Sequence, residues 1–312
     1  MKILKCKICG EQGKFDSQIK SVYSGLDFLI YRCDECVFGW IANPNTDFER
    51  LYDEKYYNGE GADPHVTYSV ERNHSSGNYV KKIKELEYHG LYKTINLLSI
   101  DNRLNPHLDF GGGLGGLVNF FGDHGMVSEL YEYGYAKEVA EKLGVPTCTT
   151  LVPGTYELVT AIEVLEHMLD PVSTLSNLCS TIRIGGYLVV TTGNLSKHRG
   201  KIADWSYVKT NPDVHISFFS PIALHKILKE MGFERVPRKF HRDLILSKIL
   251  KNILIVINSR SETFYSKYLY KIRFFLIWLV PILDQVKGVS EIGMWKKVEE
   301  QCEINPPTFQ LE

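Results

Sequence analysis

Three groups of residues have the types and spacing to do chemistry, and the first is a run of glycines after an apolar segment. It reads Asp109-Phe110-Gly111-Gly112-Gly113-Leu114-Gly115-Gly116. Glycine has no Cβ atom to keep a ligand away from the backbone, and a turn that opens a helix leaves N–H groups to hold one. The run therefore predicts a site for a nucleotide-like ligand, and a sharp structural turn is the alternative.

Four of the seven cysteines form the second group. They stand in two C-x2-C knuckles, Cys6-Lys7-Ile8-Cys9 and Cys33-Asp34-Glu35-Cys36, with two strand-like runs between them. Each knuckle can turn two thiolates toward one point, so the four sulfur atoms predict a structural zinc site with no open position for chemistry. The alternative is four buried or redox-active thiols.

Two histidines form the third group. His167 follows a predicted strand at its carboxyl end, where ligands gather in open α/β sheets. His215 lies in the loop before a predicted helix, Pro221 to Met231. Because imidazole can accept a proton near neutral pH, both are candidate catalytic bases. For each of them the alternative is a structural imidazole that is hydrogen-bonded to the backbone.

Alternating strand and helix patterns supply the elements that position these groups. The predicted strands end at Leu108 and cover Met126 to Tyr131, Tyr156 to Val164 and Tyr187 to Thr192; the predicted helices cover Val80 to Leu98, Leu117 to Phe121, Ala136 to Leu143 and Val172 to Thr181. This alternation predicts an α/β fold with a mostly parallel sheet and helices on both faces. Glu132 then lies near the offset at which a second strand presents a carboxylate to ribose hydroxyls.

The chain is predicted to have five parts: a zinc ribbon over 1–42, a connecting segment over 43–79, an α/β core over 80–238, a helical appendage over 239–298 and a tail over 299–312. In the connecting segment, Tyr56 and Tyr57 are candidates for substrate contact or for surface packing. The appendage contains an apolar run, Phe274 to Leu283, that is too short to span a bilayer. Its helices are predicted to pack on the core, form a homodimer, lie on a membrane surface or cover the substrate.

The charge and composition of the chain limit the classes of partner that it is expected to bind. The chain has 36 Lys and Arg residues against 37 Asp and Glu residues, so it offers little long-range attraction for nucleic acid. Its first residues lack the apolar segment and cleavage site of a secretion signal, which predicts a cytoplasmic protein. Contact with the inner face of the membrane through the appendage is a further expectation.

The ordered motifs of the core resemble those of class I S-adenosylmethionine-dependent methyltransferases. The resemblance rests on the glycine run, Glu132, the segment Tyr156 to His167, and the motifs at 169–171, 184–188 and 215–220, and it covers about residues 80 to 235. It implies a Rossmann-like core that binds S-adenosylmethionine through Asp109, Gly111, Gly113, Gly115, Glu132 and Glu163. One departure is that Thr147 to Thr150 lack the acidic residue that often contacts adenine, so the adenine contacts stay open.

The ribbon followed by Leu51-Tyr52-Asp53-Glu54-Lys55-Tyr56-Tyr57 is similar to a subgroup with sugar C-methyltransferases and polysaccharide-modifying methyltransferases. This similarity implies methyl transfer to a sugar, a sugar nucleotide or a glycan precursor, in line with the donor and with assistance from a histidine base. The acceptor atom, whether oxygen, nitrogen or carbon, is not determined by it.

Two alternatives have different partners. In an RNA base methyltransferase the ribbon would hold nucleic acid, but the segment between the knuckles has no excess of basic residues: Lys14, Lys20 and Arg32 stand against Glu11, Asp16 and Asp27. The other alternative is a scaffold that keeps the fold and binds the cofactor without turnover.

Overall fold

The structure is a computed structural model that describes residues 4–63, 79–98, 100, 106–237 and 291–299. The strands are β1 Lys14–Lys20, β2 Asp27–Cys33, β3 Phe38–Ile41, β4 His107–Phe110, β5 Ser128–Tyr131, β6 Thr147–Cys148, β7 Tyr156–Ile162, β8 Ile182–Thr192, β9 Ser217–Phe218, β10 Phe233–Arg235 and β11 Glu291–Lys297. The α-helices are α1 Phe48–Leu51, α2 Glu54–Tyr57, α3 Tyr79–Leu97, α4 Gly116–Asp123, α5 Gly134–Lys142, α6 Pro171–Thr181, α7 Ser206–Lys209 and α8 Pro221–Glu230. Short 3₁₀ helices cover Leu165–His167, Leu195–Lys197 and Ile202–Asp204.

The described chain divides into two compact units. The first consists of the described parts of 1–69, 102–235 and 290–312 and contains every strand named above. The second consists of the described parts of 70–101 and 236–289 and contains α3, so the helix predicted from Val80 to Leu98 is confirmed. All the functional groups discussed below belong to the first unit.

A seven-stranded sheet in the order β10-β11-β8-β7-β4-β5-β6 forms the centre of the first unit. Strands β8, β7, β4, β5 and β6 pair in parallel, whereas β11 runs antiparallel to both of its neighbours. The α/β class and the mostly parallel sheet predicted from the sequence are confirmed. The carboxyl ends of β4, β5 and β7 therefore meet at one edge of the sheet, where α/β proteins place their ligands.

Local sequence explains why these elements form. All four residues of β4 and the first six of β7 are buried, as expected for parallel strands that are covered on both faces. Helix α6 begins with Pro171 after Asp170, whose carboxylate accepts a hydrogen bond from the Ser173 N–H. Helix α8 repeats this pattern with Ser220 before Pro221. Such capping residues satisfy N–H groups that the first turn of a helix leaves unpaired.

Strand β11 corrects the predicted helical appendage. The prediction of helix over 239–298 is wrong for Glu291–Lys297, which form a strand between β8 and β10. Met294 and Trp295 are buried there, and the buried Lys297 Nζ donates to the Ile182 carbonyl at 2.9 Å. The strand depends on partners that lie far away in the sequence, so local periodicity did not reveal it.

The rest of the predicted appendage and nearly all of the predicted tail lie outside the described residues, as do the dimer and membrane surfaces assigned to them. The limits of the five parts stay predictions. None of the helices in the described ranges combines the length and the apolar character needed to cross a bilayer.

A second sheet, in the order β1-β2-β3-β9, joins the predicted ribbon to the core. Strand β9 comes from the core and pairs with β3, with Gly39 opposite Phe218. The ring centroids of Phe38 and Phe219 lie 5.1 Å apart, and both rings belong to one buried cluster that extends under β7 and β8. The ribbon is thus packed on the core through both a strand pair and shared apolar side chains.

Substitution of Ser220 tests the contact between the ribbon and the core. Its Oγ donates to the Cys36 carbonyl at 2.7 Å and accepts from the Ala223 N–H at 3.0 Å, so it caps α8 and holds a cysteine knuckle at once. We expect Ser220→Ala to lower the free energy of unfolding by roughly 1–2 kcal/mol, measured by denaturant titration. The exposed Ser206 provides the matched control as Ser206→Ala. Equal effects of the two substitutions would contradict this role of Ser220.

Candidate functional site

The glycine run forms the turn between β4 and α4. Gly111, Gly113 and Gly115 have φ angles of 68°, 60° and 77°, a region that favours glycine. A Cβ atom on Gly111 would lie 2.8 Å from Val164 Cγ2, and one on Gly115 would lie 2.5 Å from Val145 Cγ1. The backbone therefore requires glycine at the spacing that the sequence shows. No side chain caps the first turn of α4 at Gly115, so its N–H groups are not taken up by a capping residue.

Two carboxylate side chains, those of Asp109 and Glu132, lie next to this turn. Asp109 is buried, and its Oδ1 accepts from the Thr160 hydroxyl at 2.6 Å. Glu132 follows β5 and reaches across to the turn, where its Oε2 accepts from the Gly113 N–H at 3.0 Å. Burial raises the pKa of both carboxyl groups to about 7. The structure thus brings Asp109, the glycines and Glu132 together, as their predicted role requires.

Glu163 lies at the carboxyl end of β7 in a left-handed conformation, with φ of 54°. Its N–H donates to the Thr191 carbonyl at 2.9 Å, and its Oε1 accepts from the Thr191 hydroxyl at 2.9 Å. Non-glycine residues seldom adopt this conformation, and such strain is often found at functional sites. The contacts with Thr191 fix the Glu163 carboxylate at the edge of the sheet.

The two predicted histidines lie side by side at this edge, with ring centroids 5.0 Å apart. His167 Nδ1 lies 3.0 Å from the Val214 carbonyl, and His215 Nδ1 lies 2.7 Å from the Tyr207 carbonyl. A carbonyl oxygen can only accept, so in each neutral imidazole Nδ1 carries the hydrogen and Nε2 carries the lone pair. Burial, together with His215, lowers the pKa of His167 to about 3, which keeps that ring neutral.

Polar side chains that the sequence did not single out as catalytic complete the cluster. The Tyr207 hydroxyl donates to Glu166 Oε1 at 2.5 Å and lies 3.4 Å from Glu163 Oε2. Glu166 is fully buried, and its burial together with Glu163 raises its carboxyl pKa to about 8. Asp63 is also buried, with its Oδ2 4.0 Å from His215 Nε2. We call Glu166, His167, Tyr207, His215 and Asp63 the polar cluster.

Tyr52 connects the polar cluster with the tyrosine-rich segment at 51–57. Its hydroxyl lies 3.1 Å from His167 Nδ1, and its ring contacts Tyr56 edge-on with centroids 4.8 Å apart. Burial and the nearby carboxylates, Glu166 first and Glu132 among the others, raise the pKa of the Tyr52 hydroxyl. Tyr56 itself is buried between the rings of Tyr52 and Tyr57.

Four of these residues were not assigned to the site from the sequence, and only some of them stand beside a recognisable motif. Tyr52 belongs to the distinctive segment before Tyr56, and Glu166 directly precedes His167, so both stand beside predicted residues. Tyr207 and Asp63 lie in stretches without a recognisable motif. They reach the polar cluster because the chain folds back over the sheet edge.

The four predicted zinc ligands also converge. The Sγ atoms of Cys6 and Cys36 are 3.5 Å apart, those of Cys9 and Cys33 are 3.5 Å apart, and those of Cys9 and Cys36 are 3.8 Å apart. Tetrahedral zinc with Zn–S bonds of about 2.3 Å needs sulfur atoms about 3.8 Å apart, so the cluster fits a zinc ion.

Comparison with known proteins agrees with this geometry. Residues 84–237 match the model of a family described as a methyltransferase domain. The match identifies an S-adenosylmethionine-dependent methyltransferase domain over residues 84–237, which contain the glycine turn and most strands of the seven-stranded sheet. No curated protein matches the chain in sequence.

Solved structures show the same fold at low identity. Phosphoethanolamine N-methyltransferase 2 of Haemonchus contortus, solved with S-adenosyl-L-methionine, is 16% identical with a TM-score of 0.51, over 93% of this chain and 69% of that chain. The plantazolicin methyltransferase, solved with S-adenosylhomocysteine, is 11% identical with a TM-score of 0.46, over 81% of this chain and 96% of that chain. A geranyl diphosphate methyltransferase is 13% identical with a TM-score of 0.45, over 74% and 95%. The likeness to the first of these structures shows the fold alone, and the acceptor does not follow from it.

If Glu132 binds the donor ribose as the sequence predicts, donor binding should depend on pH. Its pKa of about 7 lies above the usual value because burial disfavours the charged form. A ribose hydroxyl that donates to Glu132 favours the ionised carboxylate, so affinity for S-adenosylhomocysteine should rise with pH. Ionisation goes from about one tenth at pH 6 to about nine tenths at pH 8, which predicts an affinity increase of up to about tenfold in calorimetry.

Substitution of Glu132 distinguishes its contribution to the pH dependence of binding from the contributions of other titrating groups. Glu132→Gln should bind about tenfold more weakly at pH 8 and lose most of the pH dependence, because it removes a charge-assisted hydrogen bond. The exposed Glu138 of α5 supplies the control, Glu138→Gln, which should behave as the unchanged protein does. A pH dependence that persists in Glu132→Gln would assign the effect to another group, such as Asp109.

Proposed function

We propose that the protein methylates a small hydroxyl-rich acceptor, which we take to be a sugar, a sugar nucleotide or a glycan precursor. The observation that carries this proposal is the polar cluster beside the glycine turn. It presents imidazole, carboxyl and phenol groups in one largely buried place, and such groups suit an acceptor with several hydroxyls. The ribbon and the segment before Tyr56, which resemble those of sugar methyltransferases, support the same acceptor class.

The donor would lie across the carboxyl ends of β4 and β5. The three glycines leave room for it, and Glu132 would accept from its ribose hydroxyls. Asp109 organises the turn through Thr160. When bound, S-adenosylmethionine supplies an electrophilic methyl group. The protein then has to hold the acceptor atom in line with that methyl group and exclude water.

The two histidines are suited to prepare the acceptor. With Nδ1 fixed on a backbone carbonyl, each ring can turn the lone pair of Nε2 toward an acceptor hydroxyl. One of them would take the hydroxyl proton while the oxygen attacks the methyl carbon. His215 would be oriented by the stacked Tyr207 ring, whose centroid is 4.3 Å away. Tyr52 would orient His167.

Charge pairing in the ribbon disfavours the RNA alternative. Lys14 Nζ lies 2.7 Å from the Asp34 carboxylate, and Arg32 Nε lies 3.7 Å from it. Phosphate binding would require cations that can exchange their partners for the backbone of the nucleic acid. We therefore assign the ribbon a structural role.

Methyl transfer from labelled donor to a panel of nucleotide sugars tests the proposed function. We expect label in at least one acceptor, and a mass increase of one methyl group. Of His167→Gln and His215→Gln, the variant that removes the histidine that takes the proton should lower kcat by about 10²- to 10⁴-fold while S-adenosylhomocysteine binding stays intact, because the base acts only in the transfer step. His225, exposed on α8, gives the matched control His225→Gln.

The outcomes separate the alternatives. Transfer to no sugar but to RNA, together with RNA binding that weakens steeply with salt, would favour the RNA enzyme. Normal cofactor binding without transfer to any acceptor would favour the scaffold. Equal activity of His167→Gln, His215→Gln and His225→Gln would remove the histidines from the mechanism.

We propose further that the cysteine cluster holds zinc and that zinc keeps the ribbon on the core. The purified protein should contain about one zinc ion per chain by elemental mass spectrometry, and Cys33→Ser should contain almost none, because a closed site needs all four thiolates. Cys148→Ser is the matched control, since Cys148 lies on β6 outside the cluster. Four titratable thiols without zinc in the native protein would support the alternative of a thiol cluster.

A further inference from the structure

The polar cluster contains three groups with the chemistry of metal ligands. One carboxylate oxygen of Glu166 and one ring nitrogen each of His167 and His215 lie within 4.8 Å of one another. Two imidazoles and one carboxylate on one side of an ion form a frequent site for first-row divalent metals, with the other positions open. We propose that this triad binds such an ion, in addition to the zinc proposed for the ribbon.

The orientation of the imidazoles supports a metal site. Ligating histidines usually donate their other ring N–H to a carbonyl or a carboxylate, which fixes the tautomer and the ring plane. Both rings meet this condition through Nδ1: His167 on the Val214 carbonyl and His215 on the Tyr207 carbonyl. Their Nε2 lone pairs are therefore the ones to bind an ion.

Glu166 supplies an independent observation. Its side chain is fully buried, and its Oε1 is held by the Tyr207 hydroxyl. Its Oε2 makes no hydrogen bond of normal geometry among the described residues, although the Thr192 hydroxyl lies near enough to lower the carboxyl pKa. An unsatisfied buried carboxylate oxygen is costly, and an ion bound to Oε2 would remove that cost. Tyr207 would orient the carboxylate from the second coordination shell.

Asp63 lies beside His215 but outside the triad, since its carboxylate is not within 4.8 Å of all three other ligand atoms. The 4.0 Å between Asp63 Oδ2 and His215 Nε2 is too long for a hydrogen bond. A mixture of imidazole and carboxylate ligands without thiolate selects an ion such as Mn²⁺, Fe²⁺ or Zn²⁺.

The role of the ion rests on the proposed function, although its binding does not. At an open position the ion would hold one acceptor hydroxyl and lower the pKa of that hydroxyl, so that its proton is released to solvent. The bound oxygen would then form the bond to the methyl carbon as the sulfur–carbon bond breaks, and the donor would leave as the neutral thioether. The histidines would act as ligands, and the ion would replace the histidine base.

Binding of Mn²⁺ to the full-length protein, with zinc retained in the ribbon, tests the site in the absence of donor and acceptor. The signal of free Mn²⁺ in electron paramagnetic resonance measures how much is bound. We expect about one Mn²⁺ per chain, and at least about tenfold weaker binding in Glu166→Gln, His167→Gln and His215→Gln. His225→Gln should bind as the unchanged protein does.

Two controls keep the result interpretable. Zinc content and S-adenosylhomocysteine binding identify any variant that fails to fold, and Tyr207→Phe, which keeps all the ligands, should weaken Mn²⁺ binding less than Glu166→Gln. No Mn²⁺ bound by folded protein, or equal binding in the ligand variants and the control, would overturn the proposal. Because neither donor nor acceptor is present, failure here leaves the proposed methyl transfer to its own test.

Discussion

The backbone of Ile216 joins the three parts of the protein on which the site depends. Its N–H donates to the Glu166 carbonyl at 2.8 Å, and its own carbonyl accepts from the Ile41 N–H at 3.0 Å. One peptide segment thus ties the turn after β7 to strand β3 of the ribbon. His215 precedes Ile216 and His167 follows Glu166, so the same two bonds set the two imidazoles side by side. The ribbon, which the sequence predicts as a separate part, therefore helps to position the two histidines.

Burial gives this site its electrostatic character. Asp109, Glu132 and Glu166 all have carboxyl pKa values raised to about 7 or 8, chiefly because burial disfavours their charged forms. A cationic donor or a bound metal ion would each stabilise the ionised carboxylates, so ligand binding and proton release are coupled. Such clusters cost stability before the ligand arrives, and they are common at functional sites for that reason.

The sequence was sufficient to predict the elements that residues close together in the chain specify. The glycines at 111, 113 and 115 are demanded by positive φ angles and by close contacts with Val164 and Val145, so their spacing predicts the turn. Alternating apolar patterns predicted four of the five parallel strands, all but the two-residue β6, and most helices within a few residues. The cysteine knuckles predicted the convergence of four sulfur atoms, because each knuckle needs only a tight turn.

Tertiary structure decided whatever depends on partners far away in the chain. Strand β11 forms because β8 and β10 offer it hydrogen bonds, and its residues alone read as part of a helical appendage. Tyr207 and Asp63 enter the polar cluster only because chain folding brings them beside His215. The sequence by itself therefore determined the class of fold, the glycine turn and the convergence of four cysteine sulfur atoms. The polar cluster was decided by long-range packing, since no local pattern specifies which side chains meet across the edge of a sheet.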